Sequence, residues 1–228
     1  MRVVKVSFAL LAAACVQARP PASVIPEPIN TAEAETAPDR VADSLLVDVR
    51  TIEPEIVVDL RYATANNFTG APLPGYSANR AYLRREAAEA LGRVQRSLRA
   101  EGLGLKVFDA YRPARATDAM VDWTERVGRT DLLRDGYIAS RSRHNLGVAI
   151  DLTLVELARG TWRELDMGTP YDTFSAAAHT ANASGQVAAN RQRLKAAMER
   201  EGFTNYEQEW WHFSFTVSDP LRFDKVVQ

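Results

Sequence analysis

Residues 142–151 read SRHNLGVAID, and this stretch sets the expected fold around the most polar part of the chain. Residues 145–147 favour a turn, and the apolar run that follows predicts a β-strand over residues 148–154. That strand carries a single acid, Asp151. A carboxylate buried in a strand is costly unless it is paired or binds a cation. The stretch therefore predicts a buried strand that brings His144 and Asp151 to one polar site.

A second stretch, residues 209–213 (EWWHF), begins a strand at a histidine that follows an acid by three residues. Two neutral imidazoles and one carboxylate are a frequent ligand set for catalytic zinc, with the fourth position left to water. His144, Asp151 and His212 are therefore a candidate metal site, and Glu209 is left for proton transfer. Each of these residues taken alone is also compatible with a hydrogen-bonded core side chain, and that alternative stays open at this point.

Composition restricts the classes of partner and of metal site. The 228 residues hold 28 Lys and Arg against 29 Asp and Glu, so no charge excess indicates a nucleic-acid partner. A single cysteine, Cys15, excludes an intrachain disulfide and cysteine-rich metal sites. Any metal site must use the three histidines with Asp and Glu. The third histidine, His179, lies among alanines and is interpreted as structural.

The N-terminal region resembles a sorting segment rather than part of the fold. Residues 1–18 combine a basic start with a short apolar run that cannot span a bilayer, which is typical of a secretory signal. Cys15 follows a stretch similar to a lipoprotein box, so a lipid anchor there is an alternative to ordinary cleavage. Residues 19–40 hold five of the eleven prolines and predict a linker. We expect an exported, periplasmic chain with a folded domain over residues 41–228 and no membrane span after cleavage.

The rest of the sequence alternates strand and helix patterns without regular βαβ spacing. We therefore expect one α+β domain with a central, mainly antiparallel sheet flanked by helices and a metal site at the sheet. Proline and glycine predict a long ordered loop over residues 64–79. Strands are predicted at 45–47, 56–60, 105–108, 148–154 and 211–217. Helices are predicted at 80–100 (with Asn79 as its cap), 113–127 and 190–200.

Arg112 stands before Pro113, which restricts it to extended geometry at a strand-to-helix corner. A guanidinium fixed near a metal site could stabilise a developing oxyanion. The alternative is a surface arginine paired with Asp109 or Asp118.

These motifs together carry a family resemblance. The pattern S-x-H-x-x-G-x-A-x-D over residues 142–151, followed by E-x-W-H over residues 209–212, resembles the signature of the zinc D,D-peptidases of the M15 group, and within it the VanX-type D-alanyl-D-alanine dipeptidases. Shorter segments agree with it: RYAT at 61–64, NFTG at 67–70, GY at 75–76, D-x-Y-R-P at 109–113 and M-G-x-x-Y-D at 167–172. The resemblance covers roughly residues 45–218.

The resemblance implies roles for the metal and the catalytic groups. It assigns one zinc ion to His144, Asp151 and His212, the catalytic acid and base to Glu209, and the transition-state arginine to Arg112. In such a site zinc lowers the pKa of its bound water towards about 7. The carboxylate then moves the proton from that water to the leaving nitrogen.

The resemblance also implies the substrate, the dipeptide D-Ala-D-Ala. Its free ammonium would lie at Asp172 with help from Tyr62, and its carboxylate end at Ser142. Asp109 is assigned to the same substrate-binding set. Such a site would serve cell-wall turnover or salvage.

Two other functions remain open. A D,D-carboxypeptidase or endopeptidase trimming peptidoglycan stem peptides would need an open cleft and no amine-binding acid. A wall-binding module that has lost catalysis should have lost Glu209 or Arg112, and the sequence holds both.

Overall fold

The computed structural model describes residues 36–158 and 160–228, and these hold both helices and strands. The helices are α1 Asp39–Leu45, α2 Val49–Ile52, α3 Arg85–Arg99, α4 Ala114–Arg126, α5 Asp131–Arg134 and α6 Gly185–Arg200. The strands are β1 Leu46–Asp48, β2 Val57–Val58, β3 Tyr82–Arg84, β4 Leu103–Asp109, β5 Ala149–Ala158, β6 Thr161–Glu164, β7 Thr204–Asn205 and β8 His212–Ser214. Short 3-10 turns lie at Arg61–Ala63, Arg143–Leu146 and Ala176–Ala178.

The central sheet has the strand order β2-β4-β5-β8-β7, and β6 pairs with the far part of β5. Only the pairing of β2 with β4 is parallel within this sheet. β5 lies in the middle, and residues 149–155 are all buried, which explains its nearly continuous apolar sequence. The prediction of an α+β fold with a mainly antiparallel sheet is confirmed.

Helix α3 covers one face of the core, but it begins later than predicted. Residues 82–84 form β3 and pair with β1, with Leu46 opposite Arg84. The buried Leu83 fits a period of two as well as a period of 3.6, so the sequence pattern continued the helix through it. Asn79 does not cap the helix. Its side chain accepts from the Leu60 N–H and donates to the Val58 carbonyl.

Other boundaries also differ from the prediction. Strand β5 continues to Ala158 and returns as β6, whose four residues are exposed and which the apolar pattern therefore could not reveal. Helix α6 starts at Gly185 rather than at residue 190. Ordered structure begins before residue 41, because Ala37 pairs with Phe223 and α1 starts at Asp39.

The loop over residues 64–79 is ordered as predicted and holds no helix or strand. The Asn67 side chain donates to the Thr64 and Ala71 carbonyls and accepts from the Thr69 N–H, which fixes the first half of the loop. Gly75 has φ +90°, and a Cβ there would lie 2.9 Å from the Pro113 side chain. Only glycine allows the loop to lie this close to the start of α4.

No helix in the described ranges is long and apolar enough to cross a membrane. The predicted signal over residues 1–18, Cys15 and the linker as far as residue 35 lie outside the described residues.

Candidate metal centre and active site

Two neighbouring strands and one turn bring the three candidate metal ligands together. Asp151 lies directly opposite His212 in the pairing of β5 with β8. His144 lies in the 3-10 turn before β5, where the Ser142 hydroxyl accepts from its N–H. Gly147 ends that turn with φ +66°, and a Cβ there would lie 2.5 Å from Leu46. The turn therefore needs glycine to return the chain into the strand.

The spacing of the ligand atoms fits a tetrahedral metal. His144 Nε2 lies 3.2 Å from His212 Nδ1 and 3.4 Å from Asp151 Oδ1, and His212 Nδ1 lies 3.0 Å from the same oxygen. Metal–ligand distances of about 2.0–2.1 Å in a tetrahedron separate neighbouring ligands by roughly 3.3 Å. Among the described residues, these three side chains are the ones that lie close enough together to hold a metal ion.

Hydrogen bonding leaves one nitrogen of His144 free for a metal. Its Nδ1 donates to the Ala110 carbonyl at 2.6 Å, so Nε2 keeps a lone pair directed at the cluster. A backbone acceptor of this kind fixes both the tautomer and the ring orientation of a metal-binding histidine.

Asp151 uses its two oxygens differently. Oδ1 faces the two histidines, while Oδ2 accepts from the Tyr171 hydroxyl at 2.9 Å and lies 3.9 Å from an Arg112 nitrogen. Burial alone would raise the pKa of this carboxyl, but the neighbouring histidines outweigh burial and hold it below its usual range. Asp151 is therefore an anion at neutral pH, as a metal ligand must be.

Arg112 lies beside the cluster and is buried, so it is not the surface arginine of the alternative interpretation. It does pair with Asp109: its Nε and a terminal nitrogen both lie 2.9 Å from Asp109 Oδ2. The Arg112 guanidinium carbon lies 5.0 Å from the centre of the Tyr62 ring, which adds a cation–π contact. These contacts hold a permanent positive charge within the site.

The assignment of Asp109 to substrate binding needs correction. Its side chain is 0% exposed, and its oxygens already contact Tyr76 at 2.6 Å, Arg112 at 2.9 Å and His144 Nδ1 at 3.4 Å. A substrate cannot reach a carboxylate enclosed in this way. Asp109 instead orients Arg112 and lies behind His144.

Glu209 lies in the tight turn between β7 and β8. The turn is closed by the His212 N–H donating to the Glu209 carbonyl, which also accepts from the Asn205 amide. The Glu209 carboxylate is 7% exposed and 3.9 Å from His212 Nδ1. Burial raises its pKa well above the usual value, and the negative charges of Asp151 and Asp172 raise it further. Glu209 therefore takes up a proton more readily than an exposed glutamate does.

Asp172 and Tyr62 also meet in this site. The Tyr62 hydroxyl donates to the Asp172 carboxylate, at 3.0 and 3.2 Å from its two oxygens. Within the described part of the chain, Asp172 is the one non-glycine residue with a positive φ (+59°). This backbone conformation costs energy and often marks functional positions. Burial raises the pKa of this carboxyl well above its usual value, and the charge of Asp151 adds to the effect. The predicted amine-binding pair is thus brought together. Among the described residues, the cation that acts on it is Arg112, which lies over the Tyr62 ring and partly offsets the rise in the pKa of Asp172 without forming a salt bridge to it.

A cavity of about 560 Å³ lies beside this pair. Its walls include Asp172, Tyr171 and Trp210, together with Arg61 from the first 3-10 turn and Phe108 from β4. Asp172 therefore borders this cavity.

Two residues outside the predicted set also belong to the site. The Tyr171 hydroxyl contacts both Asp151 and Tyr62, and the Tyr76 hydroxyl donates to Asp109. Tyrosine is common in cores, so only its position in the motifs at 75–76 and 167–172 could have indicated a role. His179 lies outside the metal cluster, and its Nε2 contacts the Tyr137 hydroxyl.

Comparison with known proteins agrees with this geometry. Residues 42–222 match the M15 peptidase family described as D-ala-D-ala dipeptidase. The D-alanyl-D-alanine dipeptidase of Enterococcus faecium is 38% identical over 170 residues, 68% of this chain and 83% of that protein. Those of Streptomyces coelicolor and Escherichia coli are 36% and 35% identical, covering 68% and 79% of this chain and 84% and 90% of their own lengths.

The family match spans most of the chain and includes every residue of the metal cluster, Glu209 and Asp172. Since relatives above 30% identity are also covered over more than two thirds of their length, the chain belongs to the D-ala-D-ala dipeptidase family of M15 peptidases.

Proposed function

We propose that this chain is a zinc-dependent dipeptidase that hydrolyses D-Ala-D-Ala with one water to two molecules of D-alanine. The observation that carries the proposal is a three-ligand metal cluster with two carboxyl groups beside it. Glu209 lies 3.9 Å from the ligand His212, and Asp172 is joined to the ligand Asp151 through the Tyr62 and Tyr171 hydroxyls. A short peptide offers the matching groups, a scissile carbonyl and a free ammonium.

His144, Asp151 and His212 would hold the zinc ion. When bound, zinc supplies a Lewis acid that lowers the pKa of water and polarises a carbonyl. The chain's own groups do the rest. Glu209 takes the proton from the attacking water and gives it to the nitrogen of the leaving D-alanine, because burial raises the pKa of this carboxyl and so makes it a better proton acceptor.

Arg112 stabilises the negative charge that develops on the carbonyl oxygen. Its guanidinium is fixed by Asp109 before the substrate arrives, so little reorganisation is needed during the reaction. One well-placed donor of this kind contributes about 3–4 kcal/mol to transition-state stabilisation.

Asp172 and Tyr62 select for a free amino terminus. A partly buried carboxylate without a cationic partner is poorly stabilised until an ammonium ion arrives. An acylated nitrogen carries no positive charge and would leave Asp172 unpaired. This argues for a dipeptidase rather than for an enzyme that trims stem peptides, whose substrates are acylated at that nitrogen.

Ser142 is the proposed contact for the carboxylate end of the dipeptide. Its oxygen accepts from the His144 N–H, so its hydroxyl proton remains available to a substrate oxygen. The intact Glu209 and Arg112 argue against a wall-binding module without catalysis.

The direct test is an assay of the purified protein with D-Ala-D-Ala, with and without a chelator. We expect D-alanine release that stops on chelation and returns when zinc is added back. Release that is insensitive to chelation, or no release from the zinc-loaded protein, contradicts the proposal.

We also propose that the enzyme acts outside the inner membrane, on dipeptide released during wall turnover or salvage. The proposal rests on the signal-like residues 1–18 and the proline-rich segment after them. Depletion of a precursor pool would require a cytoplasmic enzyme, so this form should not confer glycopeptide resistance. Cell fractionation tests the point: processed protein in the periplasmic or lipoprotein fraction supports export, and uncleaved protein in the cytosol contradicts it.

A further inference from the structure

Tyr171 connects the metal cluster to the amine-binding pair. Its hydroxyl lies 2.9 Å from Asp151 Oδ2 and 3.0 Å from the Tyr62 hydroxyl. The Tyr62 hydroxyl in turn lies 3.0 Å from Asp172. A continuous chain of oxygen contacts therefore runs from Asp151 through Tyr171 and Tyr62 to Asp172, and we call it the tyrosine relay.

The relay has too few hydrogens to fill all of its contacts when Asp172 is ionised. Each tyrosine hydroxyl supplies one hydrogen, and an ionised carboxylate supplies none. Three contacts then share two hydrogens, whereas a protonated Asp172, which its raised pKa favours, supplies the third. Burial keeps the pKa of both hydroxyls well above the usual value, so both stay protonated. The single hydrogen of Tyr171 has two competing acceptors, Asp151 Oδ2 and the Tyr62 oxygen.

We propose that Tyr171 is a positioning residue: its hydroxyl joins the metal ligand Asp151 to the amine-binding pair Tyr62 and Asp172, so that the state of the amine pocket acts on the metal ligand. Groups that hydrogen-bond a metal-binding side chain fix its orientation, and their loss typically lowers metal affinity or activity by about 10- to 100-fold.

A bound ammonium favours the ionised form of Asp172 and changes how the hydrogens are arranged. It donates to Asp172 in place of Tyr62, which frees the Tyr62 hydrogen to point at the Tyr171 oxygen, and the Tyr171 hydrogen then points at Asp151. Both contacts of the Tyr171 hydroxyl are filled in this arrangement. This consequence rests on the proposed function, because it takes the ammonium of the dipeptide as the occupant of the pocket.

The relay can be cut without disturbing the packing. The Tyr171 ring lies 4.9 Å from the Phe108 ring and 5.4 Å from the Trp211 ring, and phenylalanine keeps both contacts. The Tyr62 ring, which Arg112 overlies, is likewise kept by Tyr62→Phe. Tyr82→Phe is a matched control, because the Tyr82 hydroxyl of this half-buried residue donates only to the remote Gln228 carbonyl.

The test is a double-mutant cycle on zinc affinity, measured by chelator competition without substrate. Tyr171→Phe should weaken zinc binding about tenfold, and Tyr82→Phe should leave it unchanged. Tyr62→Phe touches no metal ligand directly. It should nevertheless change zinc affinity at least about twofold in the wild-type background and have no effect in the Tyr171→Phe background, because side chains in one hydrogen-bond network are not independent.

Independent effects of the two substitutions, or unchanged zinc affinity in Tyr171→Phe, overturn the inference. If Tyr171→Phe does not fold, the zinc affinity of Tyr62→Phe alone tests the inference. If Tyr171 is merely structural, Tyr62→Phe should leave the zinc affinity unchanged. The cycle also separates this inference from the proposed function. A wild-type enzyme that cleaves the dipeptide while the cycle shows independent effects refutes only the relay, and a zinc-loaded wild type that does not cleave it refutes the function.

Discussion

The two sides of the site differ in whether their buried charges are paired. The sheet side is formed at the ends of β4, β5 and β8 by Asp109, Arg112, His144, Asp151 and His212. Its charges are paired: Asp109 with Arg112, and Asp151 with the histidines. The loop side is formed by Tyr62, Asp172 and Glu209. Its two carboxyls have raised pKa values because burial and the negative charge of Asp151 oppose their ionisation.

This difference shows which side chains are held in place before the substrate binds and which are completed only by the substrate. Strand pairing fixes Asp151 opposite His212 before any ligand binds, so the metal ligands need little ordering. On the loop side the missing positive charge is the complement of a substrate ammonium. Poorly stabilised charge on the loop side is thus a source of substrate specificity, at a cost in stability.

The largest expected effect is loss of the metal from the sheet side. His144→Ala or His212→Ala should remove both bound zinc and detectable dipeptide hydrolysis, because two remaining ligands cannot hold a catalytic zinc ion. Metal analysis of purified variants measures this directly, with about one zinc per chain expected for the wild type. His179→Ala, outside the cluster, is the control and should retain both. An inactive His179 variant with full zinc would contradict our interpretation of that residue.

The second effect separates catalysis from metal binding. Glu209→Gln should keep zinc but reduce kcat by about 10²- to 10⁴-fold, since an amide cannot transfer the proton. Steady-state kinetics together with metal analysis measure both quantities. Simultaneous loss of zinc and activity would move Glu209 into the metal ligand set and require a different base.

A smaller effect is expected when the charge of Asp172 on the loop side is removed, because that charge lowers the stability of the folded protein. Asp172→Asn keeps the shape and tolerates the positive φ, but it removes a buried charge. We expect the metal-free variant to be more stable by about 1–3 kcal/mol. Its KM for the dipeptide should rise about 10- to 100-fold through loss of a charged hydrogen bond. Denaturant unfolding and initial rates measure the two changes, and a destabilised variant with unchanged KM would contradict the assigned role.

The smallest effect is a dependence of stability on pH. The pKa of Asp172 is raised in the folded protein above its unfolded value of about 3.9, so ionisation favours unfolding. Its contribution to stability is complete below that value and is lost as the pH rises through the folded-state pKa. The Tm of the metal-free wild type should therefore fall as the pH rises above about 4, and less steeply in Asp172→Asn. Equal slopes in the two proteins would contradict this assignment.

The sequence predicted the sheet side better than the loop side for a physical reason. His144, Asp151 and His212 lie in or beside apolar strands, where a polar residue is conspicuous. Asp109 is in the same position, but its complete enclosure depends on Tyr76, which arrives from a loop far along the chain.

The same limit applies to Tyr171 and to the start of α3. No local pattern tells a core tyrosine from one whose hydroxyl reaches a metal ligand, because the partner lies 20 residues away. Residues 82–84 form a strand only because β1 is available to pair with them. Periodicity gives the type of most elements, and tertiary pairing decides their limits.

The most direct test of the two-sided site compares kcat/KM for D-Ala-D-Ala and for its N-acetyl derivative in the wild type and in Asp172→Asn. The account predicts that the wild type prefers the free dipeptide by at least about 10-fold, the value of one charged hydrogen bond, and that Asp172→Asn loses most of this preference. Equal cleavage of both compounds by the wild type would contradict it and favour an enzyme that trims stem peptides.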